Sequence, residues 1–184
     1  MSYSSAVLPD HVLTPARKRG VDGRSVLALV LFLLISFAVA AFGTLTTIAT
    51  VDGWYADAAK VAWTPPNWLF GPVWTALYTM MAVAAWLVWR RRFFDYVTPA
   101  LTLYVAQLFL NAVWTPLFFG GYTVIGGPAL WVALAVIVLL DICVAGTIVV
   151  FWPTSRTAAL LLVPYLAWIL FATTLNWGIA VLNT

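Results

Sequence analysis

The sequence predicts an all-α membrane protein, a bundle of five transmembrane helices with a rigid Trp- and Pro-rich loop between the first two. Hydrophobic residues make up 64% of the 184, charged residues make up 8%, and mean hydropathy is +1.01. A soluble domain carries about 25% charge. Between Asp95 and Arg156 the only charged residue is Asp141, and none follows Arg156. The apolar runs are continuous rather than alternating, which favours helices over an outer-membrane barrel.

Five segments are long enough to cross a membrane, because a spanning helix needs about 20 mainly apolar residues. Glycine, proline or arginine residues separate them, as expected for turns. The linkers are short, so residues 25–184 are predicted to form one five-helix transmembrane domain. Residues 1–24 hold Ser, Pro, Arg and Lys without apolar periodicity and are predicted to be a disordered basic tail. The predicted spans are residues 26–48, 72–89, 98–119, 128–151 and 157–182.

The first apolar segment has two interpretations. Basic residues precede it, and Ala38-Val39-Ala40 resembles the cleavage site of a signal peptide. The apolar run continues to Ile48, which is long enough to span a membrane. We therefore expect this segment to be retained as the first helix.

Basic residues in short flanks predict the orientation of the chain. They lie before the first helix at 17–19 and Arg24, between the second and third helices at 90–92, and between the fourth and fifth at Arg156. This alternation places the N-terminus inside and the C-terminus outside. It also accounts for the net charge of +3, so we expect no nucleic-acid partner.

Aromatic and amide side chains carry the chemistry inside the spans. Trp residues at helix ends are typical of the membrane interface, but three helices place large rings, small residues and amides at helical spacing. Asn and Gln avoid lipid unless they hydrogen-bond across helices or to a ligand. Packing and pocket lining are equally supported, and one cavity faced by all three stripes would favour a pocket. The stripes are Trp74, Tyr78, Met81 and Ala85; Tyr104, Gln107, Asn111, Trp114 and Phe118; and Tyr165, Trp168, Ala172, Asn176 and Ile179.

The first loop, residues 52–71, combines aromatic side chains with a rigid backbone. It contains the aromatic pair Trp54 and Tyr55, then Trp63, and the paired Pro65 and Pro66. Adjacent prolines exclude a regular helix and hold an extended turn. Such a loop at the mouth of a bundle suggests a lid over a ligand; the alternative is a loop resting on lipid headgroups.

Conventional catalysis and metal binding are disfavoured. The sole histidine, His11, lies in the tail, and Cys143 lies mid-helix, where packing is the default role. No acid, base and nucleophile cluster is visible, and neither a metal nor a cofactor is expected. Asp141 lies mid-span, with no basic residue in any span to pair with it. We expect it to be neutral, hydrogen-bonded and part of a scaffold helix rather than of a pocket.

Three motifs occur along the chain: residues 63–74 read WTPPNWLFGPVW, residues 110–120 read LNAVWTPLFFG, and residues 164–168 and 171–176 read PYLAW and FATTLN. These motifs resemble those of the TspO translocator family, also called tryptophan-rich sensory proteins or peripheral-type benzodiazepine receptors. They occur in the family's order, and the resemblance covers about residues 26–184.

This resemblance implies a five-helix bundle, often a homodimer, whose pocket near the first loop binds porphyrins and synthetic benzodiazepine- or isoquinoline-type ligands. Cholesterol, bound by animal members, is doubtful here because no basic residue follows Trp177. Trp74 and Trp168 match residues implicated in light-dependent porphyrin breakdown by some bacterial relatives. Together with the striped Tyr78, the matched positions predict a ligand site of Trp54, Tyr55, Trp63, Pro65, Pro66, Trp74, Tyr78, Asn111, Trp114, Trp168, Ala172 and Asn176.

The leading hypothesis is a tetrapyrrole-binding membrane protein that senses, sequesters or transports porphyrins such as protoporphyrin. Lys60 is the only loop cation for their propionates, and without a clear axial ligand we expect iron-free porphyrin to bind at least as well as haem. The alternative is an enzyme that degrades bound porphyrin in light through Trp side chains. An alternating-access transporter is less favoured, since no duplicated halves are visible. A bacterial cell membrane is favoured over the mitochondrial outer membrane.

Overall fold

The computed structural model describes residues 22–93 and 95–184, apart from the side chain of Ala49. Every regular element in these residues is helical, and five helices are long and apolar enough to cross a membrane. The predicted fold class is confirmed. The helices are α1 Gly23–Val51, α2 Trp54–Asp57, α3 Asn67–Trp89, α4 Thr98–Phe119, α5 Gly121–Ile125, α6 Pro128–Thr154 and α7 Arg156–Asn183; α1, α3, α4, α6 and α7 are the spans.

The first span starts earlier than predicted. Asp22 caps α1, because its side-chain oxygen accepts a hydrogen bond from the Ser25 amide at 2.8 Å, and this satisfies one of the free donors of the first turn. Gly23 and Arg24, assigned to the tail, are therefore helical. The predicted disorder of residues 1–21 lies outside the described residues.

Two helix boundaries that were predicted at or near prolines differ in the structure. Helix α3 begins five residues before the predicted start at Pro72, and α6 continues through Pro153 beyond the predicted end at Phe151. A proline within a helix removes one backbone hydrogen bond, and transmembrane helices tolerate it where other groups satisfy the freed carbonyl. The predicted bounds of α4 are confirmed.

The five spanning helices form a ring in the order α1, α3, α7, α6, α4. Helix α1 packs against α3 and α4, α6 packs against α4 and α7, and α3 closes the ring against α7, whereas α3 and α4 touch only slightly. Small side chains allow helices to approach closely in a membrane. Fully buried alanines along these helices include Ala82, Ala84, Ala85, Ala129, Ala133, Ala158 and Ala159.

Helix α1 has the most lipid-exposed surface of the spans, yet specific contacts hold it. The Trp86 indole nitrogen donates to the Ser25 carbonyl at 2.8 Å, and the hydroxyls of Ser36 and Tyr104 are hydrogen-bonded at 2.8 Å. Ser36 is fully buried. These contacts tie α1 to α3 and α4, and its retention as the first helix stays a prediction.

The two ends of the bundle differ in charge. The starts of α1, α4 and α7 and the ends of α3 and α6 share one face of the membrane, which carries Arg24, residues 90–92 and Arg156. On the opposite face Lys60 is the one cation among the described residues. Arginine and Trp side chains stack at the basic face, with Arg92 3.3 Å above the Trp89 ring. This asymmetry agrees with the predicted orientation, which stays a prediction.

Candidate ligand-binding site

One amide joins three helices at the centre of the bundle. The Tyr78 hydroxyl of α3 donates to the Asn111 side-chain oxygen of α4 at 2.6 Å, and the Asn111 side-chain nitrogen donates to the Tyr165 hydroxyl of α7 at 3.2 Å. All three residues are buried. The three predicted stripes therefore face a common interior, bounded by α3, α4 and α7.

Aromatic rings extend this cluster toward the first loop. The Trp74 ring lies 5.5 Å from that of Tyr78 and 6.3 Å from that of Tyr165. The Trp168 ring lies 5.7 Å from that of Phe70. Trp74 and Trp168 are half-buried, and the buried Trp168 indole nitrogen has no hydrogen-bond partner among the described residues. Helices α3 and α7 thus share an aromatic wall.

A second amide serves packing. The Trp114 indole nitrogen donates to the Asn176 side-chain oxygen at 3.1 Å, and the Asn176 side-chain nitrogen donates to the Leu130 carbonyl at 3.0 Å. Asn176 is fully buried. This pairing joins α4, α7 and α6. The polar groups of Trp114 and Asn176, two residues of the predicted site, are therefore hydrogen-bonded within the protein.

The aromatic pair of the first loop packs against the end of α4. Trp54 stacks on Tyr122 with ring centroids 4.2 Å apart and donates its indole N–H to the Phe119 carbonyl. The buried Tyr55 ring contacts that of Phe119 at 5.2 Å, and burial raises the pKa of its phenol above the ordinary value. Lys60 lies over this ring, 4.8 Å from its centroid. The pair and Lys60 thus lie on the α4 side of the bundle mouth.

The rest of the loop is fastened to α7. Asn183 accepts a hydrogen bond from the Ala59 amide at 3.0 Å and donates one to the Ala59 carbonyl at 2.9 Å. The half-exposed Trp63 donates its indole N–H to the Thr174 hydroxyl at 3.3 Å. Val61 lies so close to Gly178 that a side chain on Gly178 would overlap it. The loop therefore lies along the last turns of α7.

The paired prolines lead into α3. Pro65 is half-buried, and the exposed Pro66 is the residue that precedes the first turn of the helix. Its backbone is extended, with φ −59° and ψ 142°, as expected for proline at the entry to a helix. The prolines set the direction in which the loop meets α3.

Asp141 pairs with Thr173 of α7. The Thr173 hydroxyl oxygen lies 2.8 Å from a carboxyl oxygen of Asp141 and 2.9 Å from the Ile169 carbonyl. The Thr173 hydroxyl either shares its hydrogen between these two acceptors or, if Asp141 is protonated, accepts from the carboxyl and donates to the Ile169 carbonyl. The arrangement agrees with a neutral, hydrogen-bonded acid.

Two open apolar grooves lie on the lipid-facing side of α4. One is bordered by Phe42, Phe109 and Val124, and the other by Leu101 and Phe109. Neither contains a residue of the predicted site. Among the described residues, no group of three or more His, Cys, Asp or Glu side chains could hold a metal ion.

A sequence model of the TspO/MBR family matches residues 31–182. The chain belongs to the TspO/MBR family. It is 41% identical over 159 residues to the tryptophan-rich protein TspO of Archaeoglobus fulgidus, an alignment that covers 86% of this chain and 99% of that protein. It is 42% identical over 126 residues to the translocator protein of Homo sapiens, covering 67% and 71%. It is 37% identical over 153 residues to the tryptophan-rich sensory protein of Cereibacter sphaeroides, covering 83% and 91%.

Family membership and the five spans together make this chain an integral, multi-pass membrane protein. Sequence reasoning placed Tyr165 in a stripe but not in the site, and it missed Phe70 and the loop anchors Thr174 and Asn183. Phe70 lies inside the family motif and could have been found. The anchors could not, since their partners are more than a hundred residues away along the chain.

Proposed function

We propose that this TspO/MBR-family chain binds porphyrin-type tetrapyrroles between α3, α4 and α7, and thereby senses, sequesters or moves them. The contact network of Trp74, Tyr78, Asn111 and Tyr165 carries this proposal. It sets large rings and one amide against each other; Tyr78, Asn111 and Tyr165 are buried, and Trp74 is half-buried. The relatives, which include a sensory protein and a translocator protein by name, support it.

The ring faces suit a flat aromatic guest. Planar macrocycles stack on aromatic side chains, and such contacts add to the gain from burying apolar area. Trp74 contacts Tyr165, Trp168 contacts Phe70, and both Trp side chains are half-buried. A ligand that inserts between the rings of these pairs would contact both Trp side chains. The same wall suits the fused rings of benzodiazepine- and isoquinoline-type ligands.

The bundle mouth suits the polar edge of a porphyrin. Lys60 lies at this face, and its ammonium now donates to the Ala56 carbonyl at 2.9 Å. That contact is local and partly exposed, so Lys60 can turn toward a propionate at little cost. The macrocycle would then lie in the interior, with its outer carboxylate at the loop face.

Binding is tested by titrating the purified protein in nanodiscs with protoporphyrin, haem and cholesterol in parallel and following Trp fluorescence. We expect saturable quenching by protoporphyrin, with haem no tighter because the described residues of the proposed site include neither His nor Cys to hold the iron, and no specific response to cholesterol. Absence of saturable quenching by protoporphyrin would remove the proposal.

A second candidate function is light-dependent breakdown of the bound porphyrin. It is supported by the position of Trp74 and Trp168, whose rings both border the proposed site. An indole ring beside the excited macrocycle can transfer one electron to it, which leaves an indole radical cation and a reduced macrocycle; dioxygen is the oxidant that then takes up electrons and reacts with the macrocycle. Rates of porphyrin loss under illumination test this, as described in the Discussion.

Two further proposals concern the assembly in the membrane. The basic face formed by Arg24, residues 90–92 and Arg156 is proposed to be cytoplasmic, in a bacterial cell membrane. The chain is proposed to form a homodimer through its lipid-facing helices. Cysteine accessibility at the two faces, and cross-linking in nanodiscs, test these proposals.

A further inference from the structure

Gln107 of α4 is the least satisfied polar side chain of the bundle interior. It is only 1% exposed, and neither its amide nitrogen nor its amide oxygen has a hydrogen-bond partner among the described residues. Asn111, one turn away, uses both ends of its amide. An unpartnered amide is costly within a membrane, because the hydrocarbon supplies no alternative partner. Gln107 therefore has unused capacity for two donated and two accepted hydrogen bonds.

Helix geometry shows where this amide faces. Successive residues of a helix are rotated by about 100°. Viewed down the helix axis, Gln107 therefore lies between Trp114, about 20° away on one side, and Asn111, about 40° away on the other. Both neighbours contact α7, through Asn176 and Tyr165. Gln107 thus faces the same interior as these two residues, one turn from Asn111 on the side away from the first loop.

A second polar group at this depth is also only partly used. The fully buried Tyr165 hydroxyl accepts a hydrogen bond from Asn111, and its own hydrogen has no acceptor among the described residues. Tyr104, on the other side of Gln107, is committed to Ser36 of α1. The inner end of the site thus combines a free amide with one free hydroxyl hydrogen.

The charges of the chain limit what can bind there. The basic residues of the described chain lie at helix ends or in loops, so a carboxylate at Gln107 would be buried without a cation, which is strongly disfavoured. A primary amide pairs best with a neutral group that donates and accepts side by side, as a protonated carboxyl or a lactam does. These groups occur on tetrapyrroles.

We propose that Gln107 is the inner polar contact of the ligand site and binds a neutral carboxyl or lactam group at the buried end of a tetrapyrrole. This inference rests on the proposed function. It assigns the two ends of the ligand: a neutral, amide-paired end at Gln107 and a charged end at the loop face. Selectivity then depends on hydrogen bonds as well as on ring stacking.

The test uses Gln107→Leu, which has nearly the same volume and no polar atom. We expect protoporphyrin affinity, measured by Trp quenching in nanodiscs, to fall about five- to tenfold, the loss expected for one or two hydrogen bonds. The thermal unfolding midpoint should stay the same or rise, because an unpartnered amide has been removed. The control is Thr102→Val on the exposed face of the same helix, where the hydroxyl bonds only to the Thr98 carbonyl; its affinity should stay within about twofold.

A second arm changes the ligand. Protoporphyrin dimethyl ester has no carboxyl hydrogen to donate, so the wild type should prefer the free acid. The carboxyl at the loop face contributes equally to binding by the wild type and by Gln107→Leu. The ratio of free-acid affinity to ester affinity should therefore be smaller in Gln107→Leu than in the wild type. An unchanged ratio would overturn the inference.

The remaining outcomes separate the inference from the function on which it rests. If protoporphyrin binds the wild type and Ala172→Phe weakens it, but Gln107→Leu binds equally well, the function stands and the inference fails. If Gln107→Leu loses affinity and thermal stability together, the amide is structural and the inference also fails. If the wild type shows no saturable binding, the proposed function fails first.

Discussion

Asn183 in the last turn of α7 holds Ala59 of the first loop by two hydrogen bonds, one in each direction, at 3.0 and 2.9 Å. The amide side chain thus pairs with the loop backbone as a neighbouring strand would. The contact closes the loop onto the helix that carries Trp168 and Ala172.

Asn183→Ala should therefore loosen the loop. Both backbone groups of Ala59 remain able to bond to water, so the loss should be about 1 kcal/mol, and the fold should persist. We expect the rates of porphyrin association and dissociation to rise severalfold in stopped-flow quenching. Asn67→Ala, an exposed amide at the start of α3, is the control. Unchanged rates would show that the loop does not control access.

Ala172→Phe tests the pocket. Ala172 is only 7% exposed and lies one turn beyond Trp168 on α7, so a large side chain there occupies space needed by the guest. Porphyrin affinity should fall at least about tenfold, about 1.4 kcal/mol. Ala167→Phe, on the exposed side of the same helix, should bind normally. Equal affinity in the two variants would contradict the assignment.

Asn176→Leu should destabilise the bundle, in contrast to Gln107→Leu. It leaves the Trp114 indole N–H without a partner and removes the interhelical bond to the Leu130 carbonyl. Interhelical hydrogen bonds in membranes are worth about 0.6–1.7 kcal/mol each, so we expect a loss of about 1–3 kcal/mol. Thermal melting in one detergent compares the two variants. A midpoint for Asn176→Leu at or above that of the wild type would show that this lock is dispensable.

Asp141→Asn should leave porphyrin affinity within about twofold, or about 0.4 kcal/mol. The carboxyl pairs with Thr173, and the substituted amide can donate to the same hydroxyl. The matched variant Asp141→Leu keeps no polar atom and tests whether that pairing supports the fold. A tenfold loss of affinity in Asp141→Asn would make Asp141 part of the site.

Trp74→Phe and Trp168→Phe test the photochemical alternative. If indole electrons drive porphyrin breakdown, either change should slow the loss of porphyrin absorbance under illumination far more than it weakens binding. Trp177→Phe, on the exposed side of α7, is the matched control. Equal rates in all variants, or in detergent without protein, would eliminate this function.

Periodicity predicted the interior of this protein better than it predicted the contacts within it. The stripe of α4, from Tyr104 to Phe118, is buried throughout, because one face of a helix must meet its neighbours. The partner of an amide depends on the distance and rotation between helices. Asn111 and Asn176 therefore looked alike in the sequence, and each links three helices, yet Asn111 bonds to two tyrosine hydroxyls whereas Asn176 bonds to an indole and a backbone carbonyl.

The short helices were not predictable in the same way. Helix α2 has four residues and α5 has five, too few to show a period. Their position depends on the stacking of Trp54 against Tyr122, a contact between segments far apart in the chain. The predicted loop residues Trp54 and Tyr55 consequently lie on the α4 side of the mouth, whereas Trp63 contacts α7.

The ring order of the spans has a consequence for how the protein is made. Helices α3 and α4 follow each other in the chain but touch only slightly, and each packs against α1. They cannot dock as a helical hairpin on leaving the ribosome, as α6 and α7 can. Because α1 is synthesised before α3 and α4, it is the surface on which these two spans assemble. Removing it would leave α3 with little helix contact until α7 is made, and α4 with little until α6 is made.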